Sequence, residues 1–140
     1  MIPILLILTT GAAVSDCLMS RITNAWLCAG LLTGAGLLIL EAPGELPGRL
    51  LTALLVLVLL LPAYLIGSLG AGDVKLLAAV AFLLNRRQLI PCVLISFALG
   101  ALLGLPACIR DRTLKRSVHF ALPVFLSVLL TLAGSAMEIG

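Results

Sequence analysis

The chain of 140 residues is strongly apolar and carries little charge: 62% of its residues are hydrophobic, 11% are charged, and the formal net charge is +3. The mean hydropathy of +1.28 excludes an ordinary soluble domain and favours an integral membrane protein. So small a net charge, with no RNA- or DNA-binding motif, argues against a nucleic-acid partner. The four cysteines form no CxxC pair, so neither a metal site nor a disulfide framework is expected, and no cofactor is predicted.

Six leucine-rich apolar runs, separated by short polar connections, predict an all-α bundle of about six transmembrane helices. The runs lack the alternation of barrel strands, and only helices satisfy their own backbone in lipid. The first run has no basic segment before it and is interpreted as a retained helix rather than a secretory signal. The runs fill the chain, which predicts one transmembrane domain over residues 1–140. The predicted spans are residues 2–20, 24–41, 50–69, 74–85, 88–107 and 118–138.

The basic residues are distributed unequally between the two sides of this predicted bundle. Connections alternate between sides, and the side richer in basic residues is expected in the cytoplasm. One side therefore has six basic residues and is predicted to be cytoplasmic, with both chain ends on the other side. The six are Arg21, Lys75, Arg110, Arg112, Lys115 and Arg116, against Arg49, Arg86 and Arg87 on the far side.

The fourth run is short and follows the glycine-rich stretch GSLGAGD. Residues 74–85 would form roughly 18 Å of helix, whereas the hydrocarbon core is about 30 Å thick. The predicted helix should therefore begin below the membrane surface, after non-helical backbone at Gly70 and Gly72. Such backbone is tolerated at that depth where it lines a wet cavity, and glycines there would admit an extended peptide.

Two acids fall where burial in the bilayer is a concern, namely Asp16 near the end of the first span and Asp73 before the fourth. Span parity puts both on the same membrane face. Each has a structural alternative, because Asp16 could be an interfacial residue near Arg21 and Asp73 could cap the helix that follows it. Two carboxyls brought together share one proton, so that one can act as a base on water while the other donates to a substrate carbonyl. This is the chemistry of an aspartic protease.

Two other classes of function remain open on these residues. Paired intramembrane acids also mark ion pathways, so a small transporter or proton-conducting protein is the main alternative. A structural membrane subunit, in which both acids serve only as caps, is the second.

The segment GAGDVKLLAA resembles the GxGD motif of the type IV prepilin peptidases, which are intramembrane aspartic peptidases. The segment DCLMSRITN, residues 16–24, resembles the first aspartate motif of that family, although Leu18 and Thr23 depart from it. The resemblance implies that the catalytic pair is Asp16 and Asp73. It also implies support of the substrate site by Gly70, Gly72, Lys75, Arg21 and Asn24.

The resemblance further implies a short enzyme similar to those serving Flp or tight-adherence pili, with no methyltransferase domain. Its substrates would be prepilins or pseudopilins, cut at their leader at the cytoplasmic face of the bacterial inner membrane. Water and two aspartates would suffice for the reaction, without metal or cofactor. Which pilin is cut, and the oligomeric state, do not follow from the sequence.

Overall fold

A computed structural model describes residues 2–19, 24–67, 69–111 and 121–139 of the chain. Within these ranges the protein is all-α, as predicted, and contains no strand. A short 3-10 turn, Pro43–Glu45, precedes the third helix. The helices are α1 (Ile2–Met19), α2 (Asn24–Glu41), α3 (Leu46–Leu65), α4 (Ala71–Leu83), α5 (Arg86–Asp111) and α6 (Ala121–Ile139).

Three stretches of the described chain are long and apolar enough to cross a membrane: Ile2–Met19, Asn24–Glu41 and Pro43–Leu65. A further apolar helix, Ala121–Met137, is shorter. The predicted class of a helical membrane protein is thereby confirmed, whereas the predicted number of six complete spans is not established by length and composition. The exposed face of α3, with Leu54 at 58% and Leu59 at 67% exposure, fits contact with lipid rather than water.

The shortest helix of the bundle, α4, lies at its centre. It has 13 residues, contacts α1, α2, α3 and α6, and buries most of its side chains, among them Leu76, Leu77 and Phe82. A helix that is apolar on all sides is expected to be buried by other helices or by lipid, and α4 is buried by four neighbouring helices. Its position brings whatever side chains it carries at its ends into contact with the rest of the bundle.

Close approach of α2 to its neighbours depends on Gly30 and Gly34. A Cβ atom on Gly30 would overlap Leu8 of α1, and a Cβ on Gly34 would overlap Leu83 of α4. The GxxxG spacing thus packs α2 against two different helices at once. The contact between Gly34 and Leu83 also fixes the depth of α4 relative to α2.

Helices α5 and α6 are joined by a buried set of small polar side chains. The hydroxyls of Ser96 and Ser127 lie 2.5 Å apart, and the Cys92 Sγ lies 3.4 Å from the Ser127 Oγ. Hydrogen bonds of this kind hold helices together in an apolar environment, where no hydrophobic force does so. The cysteine therefore serves packing, as expected for an isolated thiol.

Candidate functional site

Asp16 lies in the last turn of α1 and faces the interior of the bundle. Its side chain is 6% exposed, and it continues the buried face formed by Leu5, Leu8, Ala12 and Ala13. This spacing of three and four residues places the carboxyl on the packed side of the helix. This burial does not favour the alternative in which Asp16 is an interfacial residue near Arg21.

One oxygen of the Asp16 carboxyl, Oδ2, is buried and accepts no hydrogen bond from any described residue. Buried polar atoms are nearly always paired, and an exception calls for a functional or structural reason. In a helix that crosses lipid, an unsatisfied carboxyl oxygen is especially costly. The Asp16 carboxyl therefore gains little stabilisation from the described residues around it.

Asp73 is the third residue of α4, and its carboxylate turns back onto the residue that precedes the helix. The Gly70 amide donates to the Asp73 Oδ2 at 3.2 Å, and the Asp73 amide donates to the Gly70 carbonyl at 3.1 Å. This is the acidic half of a capping box. The N-cap is consequently Gly70, and the predicted N-cap role of Asp73 is wrong by three positions.

The backbone at Gly70 and Gly72 does not itself require glycine. Gly70 has φ −73° and ψ 152°, an extended conformation open to any residue, and Gly72 lies inside α4. Within the described chain the left-handed glycine is Gly67, with φ 80°. What Gly70 supplies is space, because a Cβ there would lie 2.9 Å from the Asp73 Oδ2.

The start of α4 is joined to the start of α2 by one hydrogen bond between side chains. The Lys75 Nζ donates to the Asn24 Oδ1 at 3.2 Å. Because α2 starts where the connection from α1 ends, this bond puts the start of α4 at the end of the bundle that holds Asp16. Helices α1 and α4 are also in direct contact.

Of the predicted site residues, this end of the bundle gathers Asp16, Asp73, Gly70, Lys75 and Asn24. Gly72 lies beside Asp73 in the first turn of α4. Arg21, the remaining predicted site residue, lies outside the described residues.

The sequence analysis missed a contact that holds α1 against α2 beside this site. The Trp26 Nε1 donates to the Leu8 carbonyl at 3.2 Å, and the indole lies where a Cβ on Gly11 would be. Trp26 is 41% exposed, so it is partly an interfacial residue and partly a packing residue. The indole of Trp26 therefore packs on α1 at Gly11, on the stretch of helix that precedes Asp16. Only the helix pairing reveals this role.

The fold and the site define a class: a helical integral membrane protein that brings two acids to the same end of the bundle, with one oxygen of the buried Asp16 carboxyl unpaired among the described residues. Residues 3–105 of the chain match the model of the type IV leader peptidase family. The match covers most of the chain and includes both acids, so the protein belongs to this family of peptidases. Comparisons with curated proteins and with solved structures gave no match.

Proposed function

We propose that this leader peptidase is an intramembrane aspartic endopeptidase in which Asp16 and Asp73 together activate water. The observation that carries the proposal is the buried Asp16 carboxyl, whose Oδ2 lacks a hydrogen-bond partner among the described residues. The helix that carries it contacts the helix that carries Asp73. A group that must bind water or a peptide carbonyl during a reaction has reason to be left unsatisfied between turnovers.

The two carboxyls take different roles in this proposal. Asp73 is the ionised member, because its carboxylate accepts the Gly70 amide in the first turn of α4, where negative charge is favoured. It removes a proton from water, and the resulting hydroxide attacks the scissile carbonyl carbon. Asp16 carries the shared proton and gives it to the carbonyl oxygen, producing a tetrahedral diol.

Collapse of the diol completes the reaction with the same two groups. The carbon–nitrogen bond breaks, the proton taken up by Asp73 passes to the leaving amine, and the carbonyl forms again as a carboxylic acid. The proton from the second hydroxyl returns to Asp16, so both residues regain their starting states.

The substrates are the leaders of type IV or Flp prepilins, or of pseudopilins, and an extended leader would reach Asp73 across Gly70. Gly70 is exposed and presents backbone without a side chain, which leaves room for a second chain beside the carboxylate. Lys75 and Asn24 lie at the same end and would border the leader, with Arg21 as a further basic candidate. The orientation proposed is the cytoplasmic one, in a bacterial inner membrane, on the excess of basic residues at this end.

Asparagine variants of the two acids test the proposal directly. Co-expression with a candidate prepilin, read by the mobility of the pilin, should show that Asp16→Asn and Asp73→Asn each lower cleavage by at least about 10²-fold. Glu41→Gln is the matched control, because it neutralises an exposed acid at the opposite end of the bundle. The amount of each variant in the membrane fraction separates loss of chemistry from loss of folding.

Normal processing by either variant, at equal membrane levels, would refute the acid pair. The transporter alternative is tested with the same proteins in liposomes. It requires proton or solute flux that depends on both acids in the absence of any cleavage.

A further inference from the structure

The end of the bundle opposite to the acid pair contains a recess that the peptidase function does not use. Leu83, at the end of α4, packs against Gly34, and α2 continues from there for two more turns, about 10 Å, to Glu41. On the other side Gln88 donates to the Ser135 Oγ at 3.1 Å, and α6 continues beyond that residue to Ile139. The turn between α4 and α5 therefore lies deeper than the ends of both flanking helices.

Arg87 follows this turn as the second residue of α5, and its guanidinium forms no hydrogen bond or ion pair with any described residue. An arginine without a protein partner, placed beside apolar surface, favours an anion or water next to its guanidinium. Arg87 also lies on the side with fewer basic residues, so the orientation rule gives no reason for its presence.

Arg87 opens onto a groove of about 520 Å³ between α5 and α6. The volume is in the range of sites for small molecules, about 300 to 1,000 Å³. Its upper part is polar, with Gln88 and Ser135 beside the arginine. Among the described residues that line it, Arg87 carries the only charge.

The deeper part of the same groove is apolar. It is lined by Pro91 and Ile95 of α5 and by Leu130 of α6, and the hydroxyl of Thr131 beside them is already used in a bond to the Ser127 carbonyl. Gly134 leaves the wall between the two helices open, since a Cβ there would meet nothing within 4 Å. The groove thus has a cationic end at Arg87 and a mainly apolar end between α5 and α6.

We propose that this groove binds an anionic phospholipid, with the lipid phosphate on Arg87 and one acyl chain between α5 and α6. Charge complementarity selects the headgroup, because a phosphate satisfies the planar fork of an arginine in two places. The apolar floor selects a lipid over a free anion, because an inorganic ion would leave that surface without a partner. In the proposed orientation the lipid belongs to the outer leaflet of the inner membrane.

The proposal is tested on the full chain purified in an uncharged detergent. Phosphatidylglycerol, phosphatidylcholine and inorganic phosphate are titrated separately, and binding is followed by the thermal melting midpoint and by native mass spectrometry. Phosphatidylglycerol should raise the melting midpoint and remain attached in the mass spectrum. Phosphatidylcholine should do so weakly, and inorganic phosphate should leave the midpoint unchanged.

Two variants test the two parts of the groove separately, namely the charge at Arg87 and the apolar channel at Gly134. Arg87→Gln removes the charge and should weaken phosphatidylglycerol binding about fivefold, the size expected for one basic residue at a lipid surface. Gly134→Leu keeps the charge but fills the channel, and should abolish the attached lipid. Arg87 is exposed, and a Cβ at Gly134 would meet nothing within 4 Å.

Each variant has a matched control. Arg86→Gln removes the same charge from the same turn, but Arg86 lines a different pocket, beside Arg49. Gly36→Leu places the same side chain at another glycine with open space, on α2. Both controls should bind phosphatidylglycerol like the unchanged protein.

Three results would overturn the proposal. Equal loss of binding in Arg86→Gln and Arg87→Gln would mean that net charge alone matters, and unchanged binding in Gly134→Leu would place the lipid elsewhere. A full effect from inorganic phosphate would identify the occupant as a free anion. These outcomes do not depend on cleavage, so they are separate from any test of the acid pair.

Discussion

The two ends of α4 are held in opposite ways. The end of the helix is clamped: the Arg49 Nη1 donates to the Leu83 carbonyl at 2.9 Å, and its Nη2 donates to the Asn85 Oδ1 at 2.7 Å. The same guanidinium forms an ion pair with Glu45 at 2.8 Å. One arginine of α3 thus satisfies the open carbonyl end of α4, where positive charge is also favoured.

The start of α4 is more open to its surroundings. Gly70 is exposed, Asp73 is only partly buried, and the bond from Lys75 to Asn24 that links this end to α2 joins two exposed side chains. A rigid attachment at one end and an open one at the other is the arrangement expected when a buried helix must present a reactive group to a second chain. The contrast predicts that substitutions at the clamped end lower stability, while those at the open end lower activity.

The largest effect on stability is expected from Arg49→Met. The change leaves the Leu83 carbonyl, which ends a buried helix, without its donor, and an unsatisfied group of this kind costs about 1 to 3 kcal/mol. The ion pair adds little to this loss, because the Arg49 side chain is 14% exposed but the Glu45 side chain is 58% exposed. The loss is measured as the free energy of unfolding by denaturant in micelles. The stability of Arg49→Lys should lie between that of the unchanged protein and that of Arg49→Met, because lysine keeps the charge but lacks the planar fork of donors.

Cleavage per folded Arg49→Met molecule should remain close to that of the unchanged protein. A fall in activity larger than the fall in folded protein would mean that the clamp and the acid pair are coupled. The separation of the two ends of α4 would then be incorrect.

The two ends of α4 also show which features of the fold can be predicted from the sequence and which cannot. The order of six helices and the burial of Asp16 were predictable, because apolar runs and the cost of a carboxyl in lipid act locally along the chain. The start of α4 was not predictable, because Gly70 and Gly72 were interpreted as non-helical backbone before the helix. The helix begins at Ala71 since the contacts of α4 with α1, α2, α3 and α6, together with the Gly70–Asp73 bond, outweigh the poor propensity of Gly72.

The depth and the rotation of the helices could not be predicted from the sequence either. The unpaired Asp16 Oδ2 depends on how α1 is turned against its neighbours, and the recess at Arg87 depends on the contact between Gly34 and Leu83. Such relations arise from packing between segments that are far apart in the chain. Spacing within one segment carries no information on them.

A moderate effect on activity is expected from Gly70→Ala at the open end. The added Cβ would lie 2.9 Å from the Asp73 Oδ2, so the carboxylate must turn away from the Gly70 amide. Displacing a catalytic group in this way should lower cleavage about tenfold or more, while unfolding changes by less than about 1 kcal/mol. Gly36→Ala is the control, since its Cβ has open space and the helix gains stability.

If Gly70→Ala lowered stability as much as activity, the Gly70–Asp73 contact would be structural rather than part of the site. Kinetic constants sharpen the distinction. A lower kcat with unchanged KM would place the damage at Asp73, whereas a higher KM alone would indicate that the new methyl group obstructs the leader.

The smallest effect concerns the bond between Lys75 and Asn24. Both side chains are exposed, so Lys75→Met and Asn24→Ala should show a coupling free energy of unfolding of about 0.5 kcal/mol in a double-mutant cycle. A coupling above about 2 kcal/mol would mean that the start of α4 is anchored as firmly as its end. In that case the open end could not move to admit a leader, and access to Asp73 would have to come from motion of the residues before Gly70.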